Sequence, residues 1–324
     1  MCVKKIMEEN LKTKLTDLLN IKHPILQGAM AWVSEANLAS AVSNAGGAGI
    51  IATGGRTVSW TKEQIHLAKS LTDKPFGVNI VLMDKNKDDI LDLICHEKVA
   101  FVTLGAGNPV PYFDILKKAG ILSIPVVPSL KLAKRVEENG ADALIIEGME
   151  AGGHIGKLTT LALMTQVIPE IKIPVIAAGG FSDGRGLAAA LVMGASGIQV
   201  GTRFYASKEC TAHINAKDAI INAGDTDTEI TGYLRGHAVR GLKNKMTEKY
   251  IQLEKENAPY EQLHDLIVGT SKKAPVDGDV EWGLVQAGQS LSVIKSIESC
   301  EQIVQEMILQ AENAIKNVTI EKQY

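Results

Sequence analysis

The chain has 324 residues, 45% of them apolar and 22% charged, with a formal net charge of −3, enough to bury a large core in one domain with a small appendage. So mild a charge gives no global pull toward nucleic acid or an anionic membrane, and neither is expected as a partner; a charged partner must meet a local patch. The four cysteines, Cys2, Cys95, Cys210 and Cys300, have no paired spacing, which argues against a disulfide framework or a thiolate metal site and fits the cytoplasm.

Residues 1–15 are rich in Lys and Glu and lack the apolar stretch of a secretory signal, so no export is expected. Short apolar, β-branched runs follow at 24–30, 49–53, 76–82, 99–105, 123–129, 143–147, 175–179 and 197–201. They start 20 to 32 residues apart, the length of a strand plus a crossover helix, and their near-continuous hydrophobicity suits parallel strands covered on both faces. Helical signals lie between them, as at 34–44 before Gly46-Gly47 and 131–139 before Gly140. The spacing therefore predicts an α/β fold, a closed (β/α)8 TIM barrel.

After Phe204 the chain turns polar and irregular, with Asp225, Asp227, Gly232, Gly236, Pro259, Pro275 and Gly278, before helical periodicity returns over 299–316. This predicts a small insertion after the eighth strand: residues 1–204 and 291–324 form the barrel, and 205–290 an inserted lid or substrate subdomain over its C-terminal mouth, where this fold gathers its chemistry.

The seventh strand ends in Ala177-Ala178-Gly179-Gly180 and the eighth in Gln199-Val200-Gly201-Thr202, the two places where such barrels build a phosphate site from backbone N–H groups. Asp183 is placed to cap the next helix and Arg203 to neutralise charge; the alternative is that the glycines only make tight turns. The run Gly105-Ala106-Gly107-Asn108-Pro109 is no dinucleotide fingerprint, because proline stands where a helix would receive a pyrophosphate, and it reads as a strand-end turn. Glu147-Gly148-Met149-Glu150-Ala151-Gly152-Gly153-His154 predicts a flexible glycine loop that presents an imidazole over the mouth, and His154 is the candidate acid/base residue rather than a capping or surface histidine. Gly28, Ala29, Met30 and Asn79 end the first and third strands; the Asn79 amide can donate and accept, although a capped strand end and a core methionine are the bland alternatives.

These segments, with residues 24–32 and 74–79, the block 147–160, and the later Gly236-His237-Ala238-Val239-Arg240 and Ala287-Gly288-Gln289, resemble enoyl-acyl-carrier-protein reductase II, within the wider flavin family of nitronate monooxygenases, formerly 2-nitropropane dioxygenases. Ala29 stands where the reductases often carry a second glycine. The resemblance implies an FMN held by Gly28, Ala29, Met30, Asn79, Glu147, Gly152, Gly153, Ala178, Gly179, Gly180, Gln199, Val200, Gly201 and Thr202. It further implies NADH or NADPH as co-substrate, a trans-2-enoyl thioester as substrate, a homodimer and a possible monovalent cation. The cationic stretch with Arg235, Arg240, Lys243, Lys245 and Lys249 is then a candidate surface for an acidic acyl carrier protein or a pantetheine phosphate, against the alternative of a plain solvated patch. Nitronate oxidation with oxygen is the competing activity, and a non-redox phosphate-binding barrel a third reading.

Overall fold

The computed structural model of the chain describes residues 11–317; residues 1–10, with Cys2 and most of the segment that lacks a secretory signal, and residues 318–324 lie outside the described residues. Eight parallel strands form the barrel: β1 (Ile25–Gln27), β2 (Ile50–Ala52), β3 (Gly77–Val81), β4 (Phe101–Gly105), β5 (Leu122–Val127), β6 (Leu144–Glu147), β8 (Val175–Ala178) and β9 (Gly197–Val200). Their order is β1-β9-β8-β6-β5-β4-β3-β2. The ends of that row meet through a parallel bridge between Leu26 and Ala48, with Gln27 N–H donating to Ala48 O at 3.0 Å and Ala48 N–H to Ile25 O at 3.0 Å.

The continuous hydrophobicity of the strands has the cause anticipated for it. In β6, Leu144 and Ile146 pack outward among the helices, while Ile145 packs inward with Leu26, Ile50, Phe101, Ile124 and Ile176. The inner cluster also takes Leu15 and Leu19 from the helix Lys14–Leu19, so the interior is packed by side chains and is not a pore. Helices follow at Ala36–Asn44, Leu130–Glu138 and Cys300–Asn317, within a residue or two of their sequence signals. The first strand is shorter than the run 24–30 suggested. Beyond Gln27 the chain leaves the sheet, because the Gln27 carboxamide accepts from Ile50 N–H at 3.0 Å and donates to Ser34 Oγ at 2.9 Å, while Ser34 Oγ accepts from Met30 N–H.

Between β9 and the last helix lie the helices Ile214–Asn222, Lys245–Lys255 and Tyr260–Ile267 and an antiparallel hairpin of β10 (Thr228–Thr231) and β11 (Val239–Leu242). A third short strand, β7 (Gly153–His154), joins β11 with Val239 opposite His154 and Arg240 opposite Gly153. The loop after β6, expected to be flexible, is therefore pinned into a small sheet. Among the described residues no helix is long and apolar enough to cross a membrane.

Candidate active site

Barrel register sets most of the candidate residues on one rim. Glu147 pairs with Ala178 across β6 and β8, Ala178 with Gln199 across β8 and β9, and Gln199 with Leu26 of β1. Gly28 N–H donates to Val200 O at 2.9 Å, and the Gln199 side chain lies 3.1 Å from where a Cβ on Gly28 would stand. Ala29, Met30, Gly152, Gly201 and Thr202 line one cavity of about 70 Å³, which residues after β9, among them Ser271, Leu284 and Gln286, close from the other side. Asn79 stands across the barrel on β3, where its Nδ2 donates to Thr103 Oγ1 at 3.1 Å and its oxygen is left free.

Gly179 and Gly180 both have positive φ, 95° and 82°, a conformation glycine adopts without strain. A Cβ on Gly179 would also stand 2.8 Å from Gly148 O. The N–H groups of Gly179, Gly180 and Phe181 donate to nothing among the described residues, leaving a concave turn of donors. Asp183 caps the following helix, accepting from Arg185 and Gly186 N–H at 3.0 and 3.1 Å. Arg203 does not serve that turn. It is buried and donates to Glu298 and to Ser296 O at 3.1 Å, so its charge is already spent inside the fold.

Two titratable groups here are displaced from their ordinary values. Burial raises the Glu147 carboxyl to about 7, and among the described residues the carboxyl has no hydrogen-bond partner. The His154 imidazole is reached by solvent at the mouth, yet the surrounding protein disfavours its cation and the nearby His237 disfavours it further, so its pKa is lowered. The β7–β11 pairing supplies that neighbour, since Ile155 N–H donates to Ala238 O at 3.1 Å. Gly152 makes the approach possible from the other side, because a Cβ there would meet the Ala287 backbone at 2.7 Å.

Of the cationic stretch, Arg240 falls away from a carrier surface, whereas Arg235 and Lys243 are exposed. Arg240 is only 4% exposed, donating to Met149 O at 3.0 Å and Thr228 Oγ1 at 3.1 Å beside Glu150; it holds the histidine loop rather than a partner. Arg235, at the hairpin tip, gives Nη2 to Ala258 O at 2.9 Å, and Lys243 is exposed beyond the far end of β11.

Sequence reasoning missed three features. His237 was seen only as part of a resembling segment, and its nearness to His154 follows from strand pairing across 80-odd residues. Gln286 carried no local signal. The Arg56 guanidinium sits between the rings of Trp32 and Trp60 at 4.4 and 4.2 Å, with Glu35 at 2.7 Å and Lys272 above Trp32 at 5.4 Å. That stack ties the segment after β9 to the rim.

The rim fits an FMN on its own chemistry. Gly201 borders the cavity, and a Cβ there would find no protein atom nearer than the Met30 sulfur at 3.7 Å, so the missing side chain leaves room for a ligand rather than for packing. Free N–H groups at Gly179 to Phe181 suit a phosphate; the uncommitted Glu147, Gln199 and Asn79 oxygen suit hydroxyl and ring donors. Among the described residues no group of three or more His, Cys, Asp or Glu is arranged for a metal ion.

The model of the nitronate monooxygenase family matches residues 12–93 and 84–310. The chain is 44% identical to FabK from Thermotoga maritima, whose structure superposes with a TM-score of 0.93 over 95% of this chain and 99% of that one. It is 32% identical to the (3aS,4S,5R,7aS)-5-hydroxy-7a-methyl-1-oxo-octahydro-1H-indene-4-carboxyl-CoA dehydrogenase of Mycobacterium tuberculosis, over 93% of this chain and 96% of the relative. It is 31% identical to a probable nitronate monooxygenase of Staphylococcus saprophyticus, over 95% of this chain and 99% of the relative.

Proposed function

The chain belongs to the nitronate monooxygenase family, a family of FMN-dependent oxidoreductases, and from that premise we propose that it reduces the double bond of a trans-2-enoyl thioester, carried on acyl carrier protein, with NADH or NADPH. The observation that carries this reading is the full-length likeness to FabK at 44% identity, against 31% for the probable nitronate monooxygenase. The dehydrogenase of Mycobacterium tuberculosis, named for a carboxyl-CoA compound, makes a thioester a natural ligand class.

Bound FMN would supply the two-electron relay between the nicotinamide donor and the enoyl β-carbon. The chain's own residues do the rest. Gly28 to Met30, Gly179 to Phe181 and Gly201 to Thr202 hold and orient the cofactor; Glu147, Gln199 and Asn79 meet its polar groups. His154 delivers the proton that the α-carbon needs as negative charge develops on the thioester oxygen, and the lowered pKa of its imidazole makes it a ready donor once protonated. The segment after β9 covers the mouth and excludes water.

Nitronate oxidation is the second reading, favoured by the family model and the staphylococcal relative. Anaerobic reduction of the purified flavoprotein by NAD(P)H, followed by crotonyl thioester or by a nitronate with oxygen, separates the two. Reoxidation by the thioester without oxygen is the expected result. A flavin that NAD(P)H does not bleach, with oxygen uptake on nitronate alone, overturns the reductase reading.

A further inference from the structure

The cavity at the mouth has a composition that selects its occupant. Its lining holds no carboxylate, ammonium, guanidinium or imidazole: Ala29, Met30, Val33, Pro275 and Leu284 give apolar walls, and the polar groups are neutral. Such a site recognises an uncharged dipole on an apolar body, not a phosphate or a carboxylate.

Most of its polar side chains are already occupied or shut away. Thr202 Oγ1 accepts from Gly288 N–H at 2.9 Å, and the Tyr205 hydroxyl is buried out of reach of solvent. Ser271 and Gln286 have no side-chain partner among the described residues, and of the two Gln286 is the one against the histidine strand: its Oε1 lies 3.2 Å from where a Cβ on Gly153 would stand. The positive φ of Gly153, 81°, keeps that approach clear of a side chain. Gln286 is also held in place, because Val285 O accepts from Leu242 N–H at 2.9 Å and Ala287 packs on Gly152. An uncommitted carboxamide is thus fixed one residue from His154, on the wall of a neutral cavity that also touches Met30 and Gly201.

We propose that Gln286 binds the electron acceptor, donating its Nε2–H to the carbonyl oxygen of the thioester. The inference rests on the thioester reading and deepens it. As hydride reaches the β-carbon, the π electrons move toward the carbonyl oxygen, the C=C bond becomes a Cα–Cβ single bond once Cα takes a proton from His154, and Gln286 stabilises the oxygen's transient negative charge. Removing one preorganised donor to such an oxygen typically costs about 100-fold to 1,000-fold in rate; for a carboxamide partly open to solvent the lower end applies.

Stopped-flow on Gln286→Leu tests this by reading the two half-reactions apart. The expected result is flavin content and NAD(P)H reduction within about twofold of the unaltered protein, reoxidation by crotonyl-pantetheine slower by about 100-fold, and calorimetric affinity of the oxidised holoprotein for butyryl-pantetheine lower by about tenfold. If leucine disturbs flavin retention, Gln286→Glu, which keeps the shape and loses the donor at neutral pH, is read in the same way. Reoxidation and product affinity within twofold of the unaltered protein overturn the role of Gln286. Failure of the unaltered, reduced protein to react with the thioester at all overturns the thioester reading and the inference with it, so the two failures show in different proteins.

Discussion

Glu147 carries a cost that can be measured without any substrate. Its carboxyl is raised from 4.5 to about 7 by burial, a displacement of about 2.5 units, and at about 1.36 kcal/mol per unit this is a penalty of about 3 kcal/mol on the ionised form. The side chain keeps some exposure at the mouth, so that figure is an upper bound. Below the unfolded value of 4.5 both folded and unfolded chains hold the proton and stability is whole; between 4.5 and about 7 the unfolded chain has released its proton while the folded one keeps it, so stability is lost across that window and levels off above about 7. Glu147→Gln removes the titration. In flavin-free protein it should be the more stable form by up to about 3 kcal/mol at pH 8, with the difference vanishing below pH 4.5. Urea denaturation midpoints for both proteins between pH 4.5 and 8.5 give the difference curve, in which every other titrating group cancels. Parallel curves for the two proteins across that range would refute the argument. Reconstitution with FMN adds a second arm: if the cofactor brings donors to the carboxyl, the pH dependence of the unaltered protein shrinks when the flavin is bound.

Replacing His154 by Ala should slow enoyl-driven reoxidation by about 100-fold while leaving flavin content unchanged, which rapid-mixing absorbance reads directly. His237→Gln removes a neighbour that disfavours the His154 cation, so the limb of the pH–rate profile set by His154 should move to higher pH; an unmoved limb denies the coupling. His23, two residues before β1, is lowered to about 4 by burial and by Lys22, so the fold loses stability as pH falls from 6.5 toward 4, by at most about 3 kcal/mol. His23→Gln should flatten that acid limb in pH-dependent melting. A Cβ on Gly49 would stand 2.1 Å from Ala39 O, whereas one on Gly105 meets nothing within 4 Å; Gly49→Ala should therefore cost about 3 kcal/mol or more and Gly105→Ala less than about 0.5 in thermal unfolding.

The barrel was legible because each strand needs apolar residues on both faces, which writes a continuous run, and each crossover fixes the spacing. β6 shows why: Ile145 faces the inner cluster and Leu144 and Ile146 the outer one, so three successive residues are apolar where a half-exposed strand would alternate. The tight turns at the rim were legible through glycine, since Gly179 and Gly180 take positive φ and a Cβ on Gly179 would stand 2.8 Å from Gly148 O. Arg240 was misread for a physical reason. A guanidinium buried on Met149 O and one exposed to a partner are written with the same letter, and only the fold tells which carbonyl is near.

The histidine loop marks where local reading stops. Three glycines around His154 allow flexibility, but they also allow what the fold does with them: Gly148 lies against Thr160 and Gly152 against the Ala287 backbone, contacts that any side chain would block, and Gly153 takes a positive φ beside Gln286. β11 then pairs with Gly153 and His154 and sets Ala238 O against Ile155 N–H. Because the partners come from residues 238–242 and 285–288, His154 and the cover of the mouth are one mechanical unit. A substitution that loosens the β7–β11 pairing should therefore disturb His154 and the cavity wall together, and no periodicity within residues 147–156 could have shown that.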